Sequence, residues 1–224
     1  DTTARIASGA PYLWDHALFN ERYYVYFGVL PAVIYYLPFY AVTGGAELPN
    51  WVAIGISYAL SAIGMAFLVF NCCKKWFPET KQASFLLGFI TLLLGSWAIP
   101  CAQFPYLYNI PISLGLACAI WGIAFLIKAI TPRKASLLNA CLGTTSLSLT
   151  ILCLPQMLIF GIVAIALAAF SLRDPKTRNA NAKVIGIALL PIIVITAVAG
   201  AYNYSRFGSP LDFGANYNLT TNDM

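Results

Sequence analysis

Long uncharged apolar runs alternate along the chain with short polar connections. Six stand out: Trp51–Phe70, Ala83–Ile99, Ile110–Ile127, Ala135–Leu154, Met157–Leu172 and Val184–Tyr202. A helix needs about 20 apolar residues to cross a hydrocarbon core roughly 30 Å thick. These runs therefore predict an all-α fold, a polytopic transmembrane bundle of about six spanning helices. Pro191 is expected to kink the last one. A seventh run, Tyr23–Val42, is a poor spanning helix. Pro31 and Pro38 interrupt it, and Tyr23, Tyr24, Tyr26, Tyr35 and Tyr36 crowd it. Tyrosine favours the headgroup layer, where its ring is apolar and its hydroxyl stays wet. The pattern predicts an interfacial or re-entrant segment, with a true seventh span as the alternative.

Composition agrees with this reading. Of 224 residues, 60% are hydrophobic and only 9% charged, against about 25% charged in soluble domains. That excludes an ordinary soluble domain, a disordered chain and a disulfide scaffold. The chain begins at Asp1 and stops in a polar, aromatic stretch, so it reads as an internal piece of a longer protein. Six cysteines without a CxxC pair and a single histidine, His16, make a zinc site a poor expectation. The cysteines read as small hydrophobes. The adjacent Cys72 and Cys73, at a membrane edge, are also candidates for acylation.

Charge sets the expected orientation. Ten of the 13 basic residues fall in three alternate connections, 71–82, 128–134 and 173–183. By the positive-inside rule these are cytoplasmic, which places both ends of the chain outside. Six of the eight acidic residues, Asp1, Asp15, Glu21, Glu47, Asp212 and Asp223, then lie on the outer face. The net charge of +5 is mostly this topology signal and carries no implication of nucleic-acid binding. The chain divides into a first outer loop (1–50, with the aromatic segment 23–42), a six-helix bundle (51–202) and the start of an outer segment (203–224). The bilayer is the one partner the composition itself demands.

Candidate chemistry collects in the outer segments. Tyr12–Tyr40 combines Asp15, Glu21, His16 and Arg22 with a dense aromatic patch. A carboxylate there can act as a general base on a hydroxyl or help hold a divalent metal. Aromatic rings such as Tyr24 and Tyr26 can stack on sugars, and arginine can bind phosphate. The same residues also serve as solvated loop charges and interface anchors. In Ala201–Tyr217, Gly208, Pro210 and Gly214 mark tight turns. Arg206 stands just past the membrane edge, as a phosphate contact or a snorkelling anchor. Asn203-Tyr-Ser and Asn218-Leu-Thr match the glycosylation triplet. No acidic, basic or histidine side chain lies within the six runs, which argues against an ion-coupled transporter. No phosphate-binding glycine loop or nucleophile motif is present.

Two of these stretches carry a resemblance. The run ALFNERYYVYFGVLPAVIYYLPFYAVTG, with its YYxYFGxxP segment at Tyr23–Pro31 followed by Leu37–Tyr40 and Thr43–Gly44, resembles the first outer loop of bacterial membrane glycosyltransferase-like proteins. These belong to the glycosyltransferase C superfamily, near the protein O-mannosyltransferase and lipid A aminoarabinose transferase branches. The run NYSRFGSPLDFGANYNL, with Arg206–Pro210 and Phe213–Gly214, resembles the same group's segment after a late span.

The resemblance implies transfer of a sugar from a polyprenyl-phosphate donor to an acceptor on the outer face of a bacterial inner membrane. It implies an outer-loop carboxylate as base or metal contact, carried over to Asp15 and, second, Asp1. The clean acidic pair of the family is absent, which is the main departure from its pattern. It also implies Arg206 as the phosphate contact, with Arg22, Tyr24, Tyr26 and His16 as substrate-binding candidates. No cofactor is required by the sequence, and a divalent metal ion fits the implied chemistry. The alternative is a non-enzymatic membrane protein: a permease or flippase segment for a lipid-linked sugar, or an assembly scaffold.

Overall fold

A computed structural model of the chain describes residues 8–9, 16–25, 28–96, 103, 105–130 and 135–218. The architecture is a helical bundle with a small hairpin at one end. The hairpin strands are β1 (Ala17–Phe19) and β2 (Arg22–Tyr24). The helices are α1 (Leu37–Thr43), α2 (Asn50–Trp76), α3 (Gln82–Gly95), α4 (Asn109–Ala129), α5 (Leu137–Leu149), α6 (Gly161–Ser171), α7 (Arg178–Ala188) and α8 (Leu190–Phe207).

Three helical stretches among the described residues are long and apolar enough to cross a membrane: Asn50–Trp76, Asn109–Ala129 and Arg178–Phe207. The remaining expected spans form shorter apolar helices, Gln82–Gly95, Leu137–Leu152 and Pro155–Ser171. Ala135–Leu154 and Met157–Leu172 are each expected as one span. Both pass into 3-10 turns, Thr150–Leu152 and Pro155–Phe160, where they meet. Pro155 cannot continue a helix arriving from its N-terminal side. Pro191 stands in the first turn of α8, and the break falls at Leu189. The purely helical expectation also missed the hairpin. Arg178 and Lys183, expected in a loop, lie in α7.

The aromatic segment folds as a π-helical turn, Ala32–Tyr36, running into α1. Pro38 explains the widening. It has no N–H, and its ring would press on the carbonyl four residues back. A π-turn re-routes the ladder, and the Leu37 N–H bonds the Ala32 carbonyl. The helical run Ala32–Thr43 is about 18 Å long, short of the roughly 30 Å hydrocarbon core. Two tyrosines pin it to the start of α2. Tyr35 Oη lies 2.8 Å from Ser57 Oγ, and Tyr36 Oη donates to Asn50 Oδ1 at 2.7 Å.

Helix α4 is the centre of the bundle. It buries residues on all sides, from Asn109 to Ala129, whereas α3 and α6 bury none. It packs on α2 and α5. Against α5 the fit depends on glycine. A Cβ on Gly122 would lie 3.0 Å from the Gly143 carbonyl oxygen, and one on Gly143 equally close to that of Gly122. Small residues allow this backbone approach, a common device where lipid gives helices no hydrophobic reason to associate. Against α2, Trp121 Nε1 donates to the Leu60 carbonyl at 3.0 Å.

The bundle has two unlike poles. At one, Lys75 donates to the Ile130 carbonyl, Asn181 Nδ2 donates to that of Ser171, and Asn181 Oδ1 accepts from Ala135 N–H. These bonds gather the ends of α2, α4 and α6 and the start of α7, which carry the basic residues. At the other pole lie the hairpin, the π-turn, the α5–α6 junction and the end of α8.

Candidate functional site

The second pole holds the candidate site, and it begins with the hairpin. Its register pairs Ala17 with Tyr24 and Phe19 with Arg22. Asn20 and Glu21 at the turn both have positive φ, 48° and 61°, as tight primed hairpin turns require. Asparagine tolerates that conformation, and glutamate is uncommon in it. The other edge of β1 bridges to Asn218, so the chain after α8 returns to the hairpin.

That return is built by the motif Arg206–Gly214. Gly208 ends α8 in the left-handed conformation, φ 73°, and its N–H caps the Tyr204 carbonyl. Gly214 is also left-handed, φ 82°, and a Cβ there would run into the Phe207 ring. Asp212 Oδ1 accepts from Gly214 N–H and Oδ2 accepts from Tyr217 Oη, each at 2.8 Å. The bond to the Asp212 carboxylate raises the Tyr217 phenol above its ordinary pKa. Phe207 stacks on Tyr217 at 5.6 Å and meets Phe19 and Tyr24 edge-on at 5.7 and 5.5 Å. Aromatic contacts therefore tie the hairpin to the end of α8.

Arg206 lies at the join and is only 9% exposed. Its Nη1 donates to the Val25 carbonyl at 3.0 Å and its Nη2 to Asn203 Oδ1 at 2.8 Å. The guanidinium lies 3.9 Å from the Tyr202 ring centre and 4.7 Å from that of Phe207. Its buried Nε has no hydrogen-bond partner among the described residues. A buried donor without a partner costs about 1–3 kcal/mol. Arg206 borders a cavity of about 390 Å³ lined by Tyr23, Tyr24, Tyr36, Leu107 and Tyr202, among others. It also borders a void of about 10 Å³ beside Gly28, Leu152 and Asn203, roughly the room of one water molecule.

Of the residues expected at a site, Arg206 and Tyr24 come together on the cavity. Arg22 is exposed on β2. His16 is half-buried ahead of β1, its ring 6.5 Å from that of Tyr23. Neither of these two borders the cavity. Asp1, Asp15 and Tyr26 lie outside the described residues. Among the described residues, no three His, Cys, Asp or Glu side chains converge as metal ligands.

Sequence reasoning passed over Tyr36, Leu107 and Tyr202 as cavity walls, and Asn203 and Asp212 as supports. Asn203 stands out only as part of a glycosylation triplet. Its side chain is buried, accepts from Arg206 and donates to the Pro210 carbonyl at 3.3 Å. Compared with models of known protein families, with the curated proteins and with the solved structures, the chain matches none.

Proposed function

We propose that this chain is the membrane core of a glycosyltransferase-like enzyme, one that moves a sugar from a polyprenyl-phosphate carrier to an acceptor hydroxyl on the extracytoplasmic face. The observation that carries this reading is the aromatic-walled cavity with Arg206 buried in its side. Tyrosine rings suit the faces of a sugar, and a guanidinium with an unused Nε–H suits one phosphate group. A phosphate at the cavity mouth would also have the bilayer beside it for its isoprenoid tail.

In this reading α2, the three shorter helices, α4 and the α7–α8 pair form six membrane crossings. The pole bearing Lys74, Lys75, Lys128, Arg173, Lys176, Arg178 and Lys183 faces the cytoplasm, in a bacterial inner membrane. The segregation of those residues to one pole supports the orientation. The sequence resemblance to the glycosyltransferase C superfamily supports the reaction class. The acceptor oxygen attacks the anomeric carbon as the bond to the phosphate oxygen breaks, with inversion. A carboxylate takes the acceptor's proton, and Asp15 is assigned that role, with Asp1 second. Arg206 offsets the charge that develops on the departing phosphate.

The test is sugar transfer by the full-length protein in lipid, offered a panel of labelled polyprenyl-phosphate sugars with and without divalent cation. Wild type is expected to transfer one of them. Asp15→Asn is expected to lower the rate by about 100-fold or more, the range for a general base. Absence of transfer from every donor by a folded protein would replace this reading with a carrier or scaffold role. Unchanged transfer by Asp15→Asn would remove the base assignment alone.

A further inference from the structure

A second cavity, of about 460 Å³, lies between α5, α6 and the α7–α8 junction. Its walls are almost wholly apolar. Thr144 and Ser148, among the few hydroxyls on it, spend their hydrogens on the Ala140 and Thr144 carbonyls of their own helix. Ser171 Oγ likewise donates to Ala168. None of these three hydroxyls keeps a free hydrogen to offer a polar ligand. It runs from Ala135, Ser171 and Val184 at the basic pole to Leu158 and Ile192. From Leu158 in the 3-10 turn to Ser171 at the end of α6 that is about 20 Å, more than the roughly 15 Å depth of one leaflet's hydrocarbon.

Protein does not cover this groove. Leu158, Ile162 and Ile165 line it and yet are 57%, 64% and 71% exposed. Helix α6 buries no residue fully; Ala164 and Leu167 lean on the Ala119, Leu126 and Leu147 cluster, and the rest of its inner side borders the gap. At the basic end, Lys75 and Arg173 approach the Phe170 ring at 5.9 and 5.6 Å. Lys176, Arg178 and Lys183 follow on the α6–α7 connection and α7. Only Glu79 and Asp174 oppose them among the described residues of that pole.

We propose that the groove binds one acyl chain of an anionic phospholipid, with its headgroup at the basic pole, as a fixed part of the bundle that fills the space between α6 and α5. Charge selects the lipid: an apolar slot ending among clustered cations favours an anionic headgroup over a zwitterionic one. The headgroup end lies at the pole opposite the Arg206 cavity, and the proposal does not depend on the reaction proposed there.

Photocrosslinking tests it on the whole protein, reconstituted in equal parts phosphatidylglycerol and phosphatidylcholine, with one or the other carrying a mid-chain diazirine. The expected adducts fall on Leu158–Ser171 and Val184–Ile192. Phosphatidylglycerol should give about fivefold more than phosphatidylcholine, the factor of one basic residue near an anionic surface. Ala164→Phe, which narrows the groove, should lower these adducts and leave those on Gln82–Gly95 unchanged. The wild-type map decides the matter if that variant does not fold. Adducts spread evenly over the exposed helices, no headgroup preference, displacement by polyprenyl phosphate, or occupation by another protein helix would each overturn the proposal.

Discussion

Gly28→Ala is expected to destabilise the protein by about 3 kcal/mol, in the upper range for overpacking a site that cannot relax. Gly28 is where the outer segment meets the bundle, backbone to backbone. Its N–H donates to the Cys153 carbonyl at 2.9 Å, and a Cβ would overlap the carbonyl group of Leu152. Both partners are buried, at the junction where Thr150–Leu152 turns into Pro155–Phe160. A side chain can rotate away from an added methyl, but this carbonyl cannot move without disturbing the end of α5. The hydrogen bond to Cys153 would then lengthen or break as well. Heating the detergent-solubilised protein and following its monodisperse fraction should show a midpoint lower by about 10 °C. Gly55→Ala is the control. Gly55 lies within α2 with open space around its Cα, so alanine there should be neutral or add up to about 1 kcal/mol. Equal midpoints for the two variants would contradict the close approach at Gly28.

Arg206→Ala is expected to release the hairpin from α8 while leaving the α2–α4–α5 core folded. The substitution strips donors from the Val25 carbonyl and from Asn203 Oδ1 and removes the cation beside Tyr202 and Phe207. Two acceptors left without these partners and two lost cation–π contacts make a local cost of about 3 kcal/mol. Arg206→Lys should recover little. Lysine replaces a planar fork with a single point charge and cannot serve both acceptors in the same geometry. The readout is proteolysis. Arg22 is exposed on β2, and trypsin should cut after it about 100-fold faster in Arg206→Ala, following the equilibrium for local opening. Fragments from within α2 and α4 should not increase. An unchanged cleavage rate after Arg22 would show that the aromatic cluster alone holds the hairpin. Nη1 and Nη2 both serve the protein in this strut.

What the sequence made legible was decided by residues acting alone or with close neighbours. The apolar runs, the basic helix ends and the glycines of RFGSPLDFG are of this kind. Gly208 and Gly214 stand where turns were expected, because left-handed backbone is a local demand. The hairpin was hidden because its second turn position is Glu21 and the usual glycine signal is missing. The role of Gly28 was hidden because its partner is Leu152, far along the chain and visible only after folding. Arg206 was identified as a candidate, but its ties to Val25 and Asn203 were not, and those ties give it its orientation. Tyr35 and Tyr36 read as headgroup anchors. Their hydroxyls instead bond Ser57 and Asn50, two turns apart on one face of α2.

The proposed function requires the two poles to face opposite sides of a membrane, with the Arg206 cavity outside. Thiol labelling measures this directly. In a background free of other cysteines, Leu211→Cys places a thiol at a position 82% exposed beside the Arg206 motif. A second protein keeps only Cys72 and Cys73, near the basic end of α2. With a membrane-impermeant maleimide and intact cells, the thiol at position 211 is expected to label at once. Cys72 and Cys73 should react only after the membrane is opened. Labelling of Cys72 and Cys73 in intact cells, with position 211 protected, would invert the orientation and contradict transfer on the outer face.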